Sequence, residues 1–160
     1  MSFSQPSLKG RALRLLSGRE YSRAELERKL AAHEVTPGEL AGALDELEAK
    51  GLIDQQRVVD SLLHRRAAKL GSPRIKAELQ AKGLDAGAVQ AAVEGLRATE
   101  VARAHAVWRK KFGSPSSTGA SQNPGAAERG RQMRFLAARG FTTDTIRRVV
   151  TGSPDDSELD

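Results

Sequence analysis

The stretch Leu79-Gln-Ala-Lys-Gly-Leu-Asp-Ala-Gly-Ala-Val-Gln-Ala-Ala-Val93 places apolar residues at offsets 0, 5, 10 and 14 around a Lys-Gly pair. Apolar residues stand at the same offsets 49 residues earlier and 57 residues later, at Leu30, Val35, Leu40 and Leu44, and at Leu136, Phe141, Ile146 and Val150. Such a pattern indicates that one small helical unit occurs three times in this chain. A stack of such units has long surfaces and few deep pockets, which favours the binding of a large partner.

Helix start and stop signals predict nine helices in three triplets. Ser22 with Glu25, and Thr36 with Glu39, fit capping boxes, and Thr142 or Thr143 can cap the last helix. Lys82-Gly83 and Arg139-Gly140 fit helix ends in which a glycine adopts the left-handed conformation. Glu34 stands at the glycine position of the first triplet, so we expect a looser turn there. The predicted helices cover residues 8–18, 22–34, 37–50, 54–70, 73–82, 85–98, 99–112, 127–139 and 143–151.

These signals predict an all-α chain of three tandem three-helix, helix-turn-helix-like repeats in an elongated, curved array. Lys69-Leu-Gly-Ser-Pro73 recurs as Lys111-Phe-Gly-Ser-Pro115, which marks an insertion before the last two helices. Trp108 and Phe135 are predicted to pack in the core rather than to stack on nucleic acid. The predicted divisions are a disordered N-terminus over 1–7, repeats over 8–53, 54–98 and 99–151, a flexible Ser/Gly-rich insertion over 116–130, and an acidic disordered tail over 152–160.

Charge is distributed unevenly along the chain. The formal net charge is +6, and residues 101–151 contain ten basic and two acidic side chains, whereas residues 1–50 contain eight of each. The last residues, 155–160, are acidic. A basic third repeat predicts an anionic partner. In the first repeat, where acids and bases alternate, the charges are predicted to form a solvated face.

The chain lacks the residue patterns of the common catalytic and metal sites. It contains no cysteine, and His33, His64 and His105 are not spaced as a helical metal-binding pair. No Gly-rich phosphate loop or activated nucleophile is recognisable, so we expect no enzyme activity, no cofactor and no metal. No apolar run reaches the roughly 18 residues of a membrane span, and the N-terminus does not read as a signal peptide. We therefore expect a cytoplasmic protein without a membrane partner.

Six short motifs follow one another in a fixed order along the chain: Ala12-Leu-Arg-Leu-Leu16, Tyr21-Ser-Arg-Ala-Glu-Leu26, Lys50-Gly-Leu-Ile-Asp54, Gly71-Ser-Pro-Arg-Ile-Lys-Ala-Glu-Leu79, Lys82-Gly-Leu84 and Arg134-Phe-Leu-Ala-Ala-Arg-Gly-Phe141. In their order, spacing and threefold arrangement, residues 8–151 resemble the RecX family of RecA regulators. The resemblance implies a monomeric, non-enzymatic protein that lies in the groove of the RecA–single-stranded-DNA filament. It implies inhibition of filament growth, ATP hydrolysis, strand exchange and SOS co-protease activity, and so a role in DNA repair and homologous recombination.

Basic residues of the second and third repeats are the predicted contacts to acidic RecA surfaces or to the phosphates of single-stranded or double-stranded DNA. They are Arg57, Arg65, Arg66, Lys69, Arg109, Lys110, Lys111, Arg131, Arg134, Arg139 and Arg147. Two other functions stay open at this stage. One is a basic helix-turn-helix protein that binds DNA directly, although no single recognition helix stands out. The other is a helical-repeat scaffold for a different protein.

Overall fold

The computed structural model describes residues 4–113 and 124–152. Their regular structure is entirely helical, which confirms the all-α prediction. The α-helices are α1 (Leu8–Gly18), α2 (Arg23–Leu30), α3 (Glu39–Ala49), α4 (Gln55–Arg66), α5 (Ser72–Ala81), α6 (Ala86–Arg97), α7 (Glu100–Phe112), α8 (Ala126–Ala138) and α9 (Thr143–Thr151). One 3₁₀ turn, Ala31–His33, follows α2.

The chain divides into two compact units. Unit 1 comprises Met1–Leu62 and Leu79–Val89, and unit 2 comprises Leu63–Glu78 and Gln90–Asp160. The limits of the units fall within α4, α5 and α6, which are the three helices of the predicted middle repeat. The division into three repeats at 8–53, 54–98 and 99–151 therefore stays a prediction.

The core of unit 1 is aliphatic. Leu26, Leu44 and Leu47 are fully buried between α1, α2 and α3, with Tyr21 beside them. Burying a leucine side chain stabilises the fold by about 1.5–3 kcal/mol, so a few such residues hold a three-helix unit together. The apolar stripes predicted from the sequence supply this core.

The core of unit 2 is partly aromatic. Phe141 and Ile146 are buried with Leu136 where α7, α8 and α9 meet. Trp108 and Phe135 pack against this cluster and are half-buried. These contacts confirm the predicted packing role of both aromatic side chains. The indole N–H of Trp108 donates a hydrogen bond of 2.8 Å to Gln132 Oε1, which satisfies its polar atom at the edge of the core.

The helix caps predicted at Ser22 and Thr142 are confirmed. The Ser22 hydroxyl accepts from the Glu25 amide, and the Glu25 carboxylate accepts from the Ser22 amide, which is a complete capping box. Thr142 caps α9 by accepting from the amide of Thr145.

The capping box predicted at Thr36 and Glu39 is wrong. Helix α3 begins at Glu39, after Gly38 with φ of +87° and without a hydroxyl cap. Glu34 Oε1 accepts instead from the amides of Gly38 at 2.9 Å and Leu40 at 3.2 Å. The Glu34 carboxylate therefore satisfies free N–H groups at the start of α3, where a Thr36 hydroxyl cap was expected.

The residue that follows the turn at Glu34 in unit 1 is exposed, whereas its counterpart after Gly140 in unit 2 is buried. Val35 is 90% exposed, whereas Phe141 at the same register is 5% exposed. The expected looser turn explains the difference. After α2 the chain passes through a 3₁₀ turn and then extends at Glu34, with φ of −76°, so no left-handed residue returns the chain to the core.

The predicted disordered and flexible segments are partly ordered. At the N-terminus, the Ser7 hydroxyl accepts from the Gly10 amide and caps α1, because a helix start needs acceptors for its free N–H groups. Helix α8 begins at Ala126, so the last residues of the predicted insertion, 126–130, are helical; Ala, Glu and Arg in this stretch favour a helix. The rest of that insertion up to residue 123, and the acidic tail from residue 153, lie outside the described residues.

Candidate anion-binding site

Each unit contains one junction in which the N-terminal end of a helix receives a Gly-containing turn from later in the chain. In unit 1, the end of α2 receives the turn between α5 and α6. The Ser22 hydroxyl donates to the carbonyl of Lys82, and Arg28 Nη2 donates to the carbonyl of Ala81 at 2.9 Å. Helix α2 thereby satisfies two of the free carbonyls at the end of α5.

In unit 2, the end of α5 receives the turn between α8 and α9. The Gly71 amide donates to the carbonyl of Arg139 at 3.0 Å, and Arg74 Nη1 donates to the carbonyl of Ala138 at 2.8 Å. The accepting residues lie 57 positions after their counterparts in unit 1, which is the offset of the sequence repeat. The two junctions therefore use equivalent accepting carbonyls, while their donors differ: a serine hydroxyl and Arg28 in unit 1, and a backbone amide and Arg74 in unit 2.

Glycine is required at both turns because the backbones approach closely. Gly83 and Gly140 have φ of +69° and +81°, which side chains disfavour. A Cβ atom on Gly140 would overlap Arg74 Cβ, and one on Gly71 would overlap the backbone of Gly140 and Phe141. These contacts fix the position of the received turn on the end of α5.

A largely buried ion pair joins the two sides of the junction of unit 1. Lys82 Nζ lies 2.9 Å from Glu25 Oε1, and the two side chains are only 16% and 12% exposed. Burial by itself would raise the pKa of the Glu25 carboxyl. Hydrogen bonds from the Ser22 amide, Lys82 and Arg19 outweigh burial and hold the pKa of Glu25 below its ordinary value.

The junction of unit 2 has cations where unit 1 has an ion pair. Arg74 stands 49 residues after Glu25, and Arg139 stands 57 residues after Lys82, so the repeat replaces an acid and a base by two bases. The Arg139 guanidinium lies 5.1 Å from the centre of the Phe135 ring, and Lys111 Nζ lies 5.9 Å from it. Both distances suit cation–π attraction, which positions the cations without neutralising them.

We call Arg74, Lys111, Phe135 and Arg139 the Phe135 cluster. Phe112 supports it, because the rings of Phe112 and Phe135 meet edge to face at 5.3 Å between centroids. Within the described residues, none of its three cations makes an ion pair with a carboxylate. Lys111 and Arg139 lie against the Phe135 ring, and Arg74 is held by its hydrogen bond to the Ala138 carbonyl, so these unpaired cations can bind phosphate or carboxylate groups with little loss of side-chain entropy.

The structure places ten of the eleven predicted site residues in unit 2 and one, Arg57, in unit 1. Arg57 Nε lies 3.0 Å from Glu20 Oε1, and its Nη2 donates to the Gly51 carbonyl. The Arg57 guanidinium therefore holds the fold of unit 1 together rather than joining the other predicted residues.

The ten predicted residues of unit 2 differ in how far they are already neutralised. Arg66 lies 3.4 Å from Glu78, and Arg131 lies 2.8 Å from Glu128, while Arg65 is exposed. Lys111 and Arg139 share the Phe135 ring. The remaining predicted residues are exposed and make no ion pair within the part of the chain that the structure describes: Lys69, Arg109, Lys110, Arg134 and Arg147.

The formal charges of the two units differ sharply. Up to Gly152, unit 2 contains 16 Lys and Arg against five Asp and Glu, whereas unit 1 contains ten against eleven. The excess positive charge of the protein therefore lies in unit 2. Its surface attracts anions, and dissolved salt should weaken this attraction.

Arg74 and Arg103 are among the arginines with defined contacts that are absent from the predicted set. The repeat could have identified Arg74, since it occupies the place of Glu25. Arg103 donates to the carbonyls of Ala67 and Leu70 at 2.7 Å each. Burial lowers the pKa of Arg103, and the residue acts as an internal tie between the ends of helices. Nothing in its local sequence distinguishes it from an exposed arginine.

Residues 4–113 and 124–152 contain neither a metal-binding cluster nor a membrane-spanning helix. No group of three or more His, Asp or Glu side chains there is arranged to hold a metal ion. Among the described helices, none is both long and apolar enough to span a bilayer.

The chain is similar to known regulatory proteins over most of its length. Residues 9–47 match the model of the first three-helix domain of RecX, and residues 98–150 match that of the third. Regulatory protein RecX of Leptothrix cholodnii is 47% identical over 146 residues, which are 91% of this chain and 88% of that protein. The same protein of Ralstonia nicotianae is 42% identical over 147 residues, covering 92% of this chain and 88% of the relative.

A solved structure has the same fold at lower identity. The crystal structure of RecX from Lactobacillus salivarius superposes with a TM-score of 0.72, at 20% identity, over 91% of this chain and 93% of that one.

Proposed function

The chain belongs to the RecX family of regulatory proteins, and on that basis we propose that it binds the RecA–single-stranded-DNA filament and inhibits it. The inhibited activities are filament growth, ATP hydrolysis, strand exchange and the co-protease activity of the SOS response. We also propose that the protein acts in the cytoplasm as a monomer and without an enzymatic activity of its own.

The observation that supports this proposal most directly is the Phe135 cluster. A filament of RecA on DNA presents phosphates, and acidic protein surfaces offer carboxylates. Both groups bind guanidinium and ammonium ions through charge-assisted hydrogen bonds. The cluster and the exposed cations Lys69, Arg109, Lys110, Arg134 and Arg147 provide such donors in unit 2.

The proposed mechanism is a shift in the equilibrium between two states of the filament. A bound ligand changes that equilibrium only by the difference between its affinities for the two states. A protein that prefers a pitch in which RecA does not hydrolyse ATP would slow turnover without any chemistry of its own. Bound in the filament groove, it would also obstruct the addition of further protomers.

The test is ATP hydrolysis by RecA on single-stranded DNA, with the full-length protein added at increasing substoichiometric amounts. We expect the hydrolysis rate to fall steeply well before the protein reaches the concentration of RecA. An unchanged rate at low salt, with the DNA saturated by RecA, would contradict the proposed function.

Direct DNA binding is the second candidate function, and the charge excess of unit 2 favours it. It predicts tight binding to duplex DNA in the absence of RecA. The logarithm of the affinity would then fall linearly with the logarithm of the salt concentration, with a slope of about −0.9 for each phosphate neutralised. Fluorescence anisotropy with a labelled duplex separates this candidate from the first.

A further inference from the structure

Unit 1 contains a basic groove, although the formal charges of the whole unit nearly balance. It lies between α1 and the end of α2 and encloses a cavity of about 370 Å³. Basic residues line it from both elements, Arg11 and Arg14 from α1, and Lys29 and His33 from α2 and the 3₁₀ turn. The sequence predicted a solvated charged face in this repeat, and Arg14, Lys29 and His33 are exposed as expected, but the folded chain also gathers them around one groove.

The charges in the groove are not neutralised within the protein. No Asp or Glu is among the residues that line it. The side chains of Arg14, Lys29 and His33 form no ion pair or hydrogen bond within the described residues. Arg11 Nη2 donates to Gln5 Oε1 at 2.9 Å, which orients the guanidinium but leaves its charge in place.

Helix geometry explains why these groups share one groove. Arg11 and Arg14 are three residues apart on α1 and so lie on one helical face, whereas Lys29 and His33 line the groove from the end of α2 and from the 3₁₀ turn that follows it. Leu30 is buried beneath the groove at 3% exposure, and Leu15 forms part of its wall. The groove therefore combines an apolar base with cations from two sides.

We propose that this groove binds the phosphate group of a nucleotide, free or within a single strand of nucleic acid. Arginine forks match phosphate oxygens, and Lys29 adds a point charge to them. The volume falls within the range of about 300–1,000 Å³ that is typical of small-ligand sites. The apolar wall can contact the sugar or the base. This inference concerns the protein alone and does not depend on its proposed action on RecA.

The first experiment is a titration of the full-length, ¹⁵N-labelled protein followed by amide NMR shifts. The probes are ADP and an oligothymidylate of about eight nucleotides, a length within the usual single-strand site sizes. We expect saturable shifts of the Gly10 and His33 amides with at least one probe. The absence of shifts at these amides with both probes would overturn the proposal without requiring any variant.

The second experiment compares two double variants of equal formal charge by calorimetric titration. Arg14→Ala with Lys29→Ala removes two cations from the groove, and Lys50→Ala with Arg97→Ala removes two exposed cations outside it. The first variant should weaken binding by about tenfold or more, and the control by less than about twofold. Equal losses in the two variants would overturn the proposal.

The two probes also separate the sources of the phosphate. Binding of ADP alone identifies a free nucleotide as the ligand, and binding of the oligothymidylate alone identifies a nucleic-acid strand. A glutamate-rich peptide that binds the groove as tightly as either probe would overturn the assignment to phosphate. RecA is absent from every arm, so failure here is distinguishable from failure of the proposed function.

Discussion

The junctions of unit 1 and unit 2 share the positions of their accepting carbonyls and differ in their donors and their electrostatics. In both, the start of a helix binds the last carbonyls before a left-handed glycine, and in both an arginine completes the contact. Unit 1 then pairs Lys82 with Glu25, whereas unit 2 places Arg139 and Arg74 at those positions with no carboxylate partner. The contact that builds the fold is therefore separable from the charges that we propose to bind a partner.

The turn between the second and third helices gives a second comparison. In unit 2 the turn uses Gly140 and buries Phe141, while in unit 1 the turn at Glu34 leaves Val35 in solvent. Phe141→Ala removes a large buried side chain and should lower the free energy of unfolding by about 3–5 kcal/mol. Urea unfolding measures the loss. Val35→Ala is the matched control and should change stability by less than about 0.5 kcal/mol. Equal effects would contradict the difference in burial.

The close backbone contact at the junction of unit 2 predicts a loss of stability when Gly71 gains a side chain. Gly71→Ala should destabilise the protein by about 2–3 kcal/mol, because the added methyl group overlaps the Gly140 backbone. The control is Gly42→Ala, in α3, where an added Cβ has no neighbour within 4 Å. We expect the control to stabilise the protein by about 0.5–1 kcal/mol, as alanine favours a helix over glycine. A tolerated Gly71→Ala would mean that the junction is looser than described.

The ion pair at the junction of unit 1 predicts a pH-dependent effect. Glu25→Gln should lower the free energy of unfolding at neutral pH by about 1–3 kcal/mol, because Lys82 loses a charged partner. The folded protein depresses the pKa of Glu25, so the stabilisation is present above the unfolded pKa, near 4.5, and is lost as the pH falls through the folded pKa.

The measurement is urea unfolding of both proteins between pH 7 and pH 3. The difference between wild type and Glu25→Gln should be constant down to about pH 4.5 and shrink below it. A difference that grows on acidification would contradict the direction of the pKa shift.

Introducing into unit 2 an ion pair like that of unit 1 should give the smallest change in stability. Arg74→Glu places a carboxylate beside Arg139, as Glu25 lies beside Lys82, and removes the hydrogen bond to Ala138. These effects oppose each other, so the free energy of unfolding should change by less than about 1 kcal/mol. Thermal unfolding followed by circular dichroism tests this. A larger loss would show that the Arg74 hydrogen bond is essential to the junction.

The sequence predicted the helices well because their signals are local. Capping at Ser22 and Thr142 and left-handed turns at Gly83 and Gly140 depend on neighbours within a few residues. Val35 lies outside the core because Glu34 stands at the position that glycine occupies in the other repeats. The Glu34 carboxylate caps α3 instead of turning the chain back to the core.

The candidate site was harder to predict because its members come from different helices. Lys111 and Arg139 were in the predicted set as basic residues, but their shared position on Phe135 depends on the packing of α7 against α8. Arg57 and Arg103 resemble surface cations in sequence, and only the folded chain shows their internal partners. The groove of unit 1 was not predicted because the numbers of acidic and basic residues in that part of the sequence are equal. The local excess of basic side chains appears only when α1 packs beside the end of α2.

The most direct test of the account is binding to preformed RecA–single-stranded-DNA filaments by two double variants with equal formal charge. Arg74→Glu with Lys111→Glu reverses two cations of the Phe135 cluster, and Lys50→Glu with Arg97→Glu reverses two exposed cations outside it. Co-sedimentation gives the dissociation constant of each. We expect the cluster variant to bind at least about tenfold more weakly than the control, as two charge-assisted contacts are lost. Equal affinities would contradict the claim that this cluster carries the interaction.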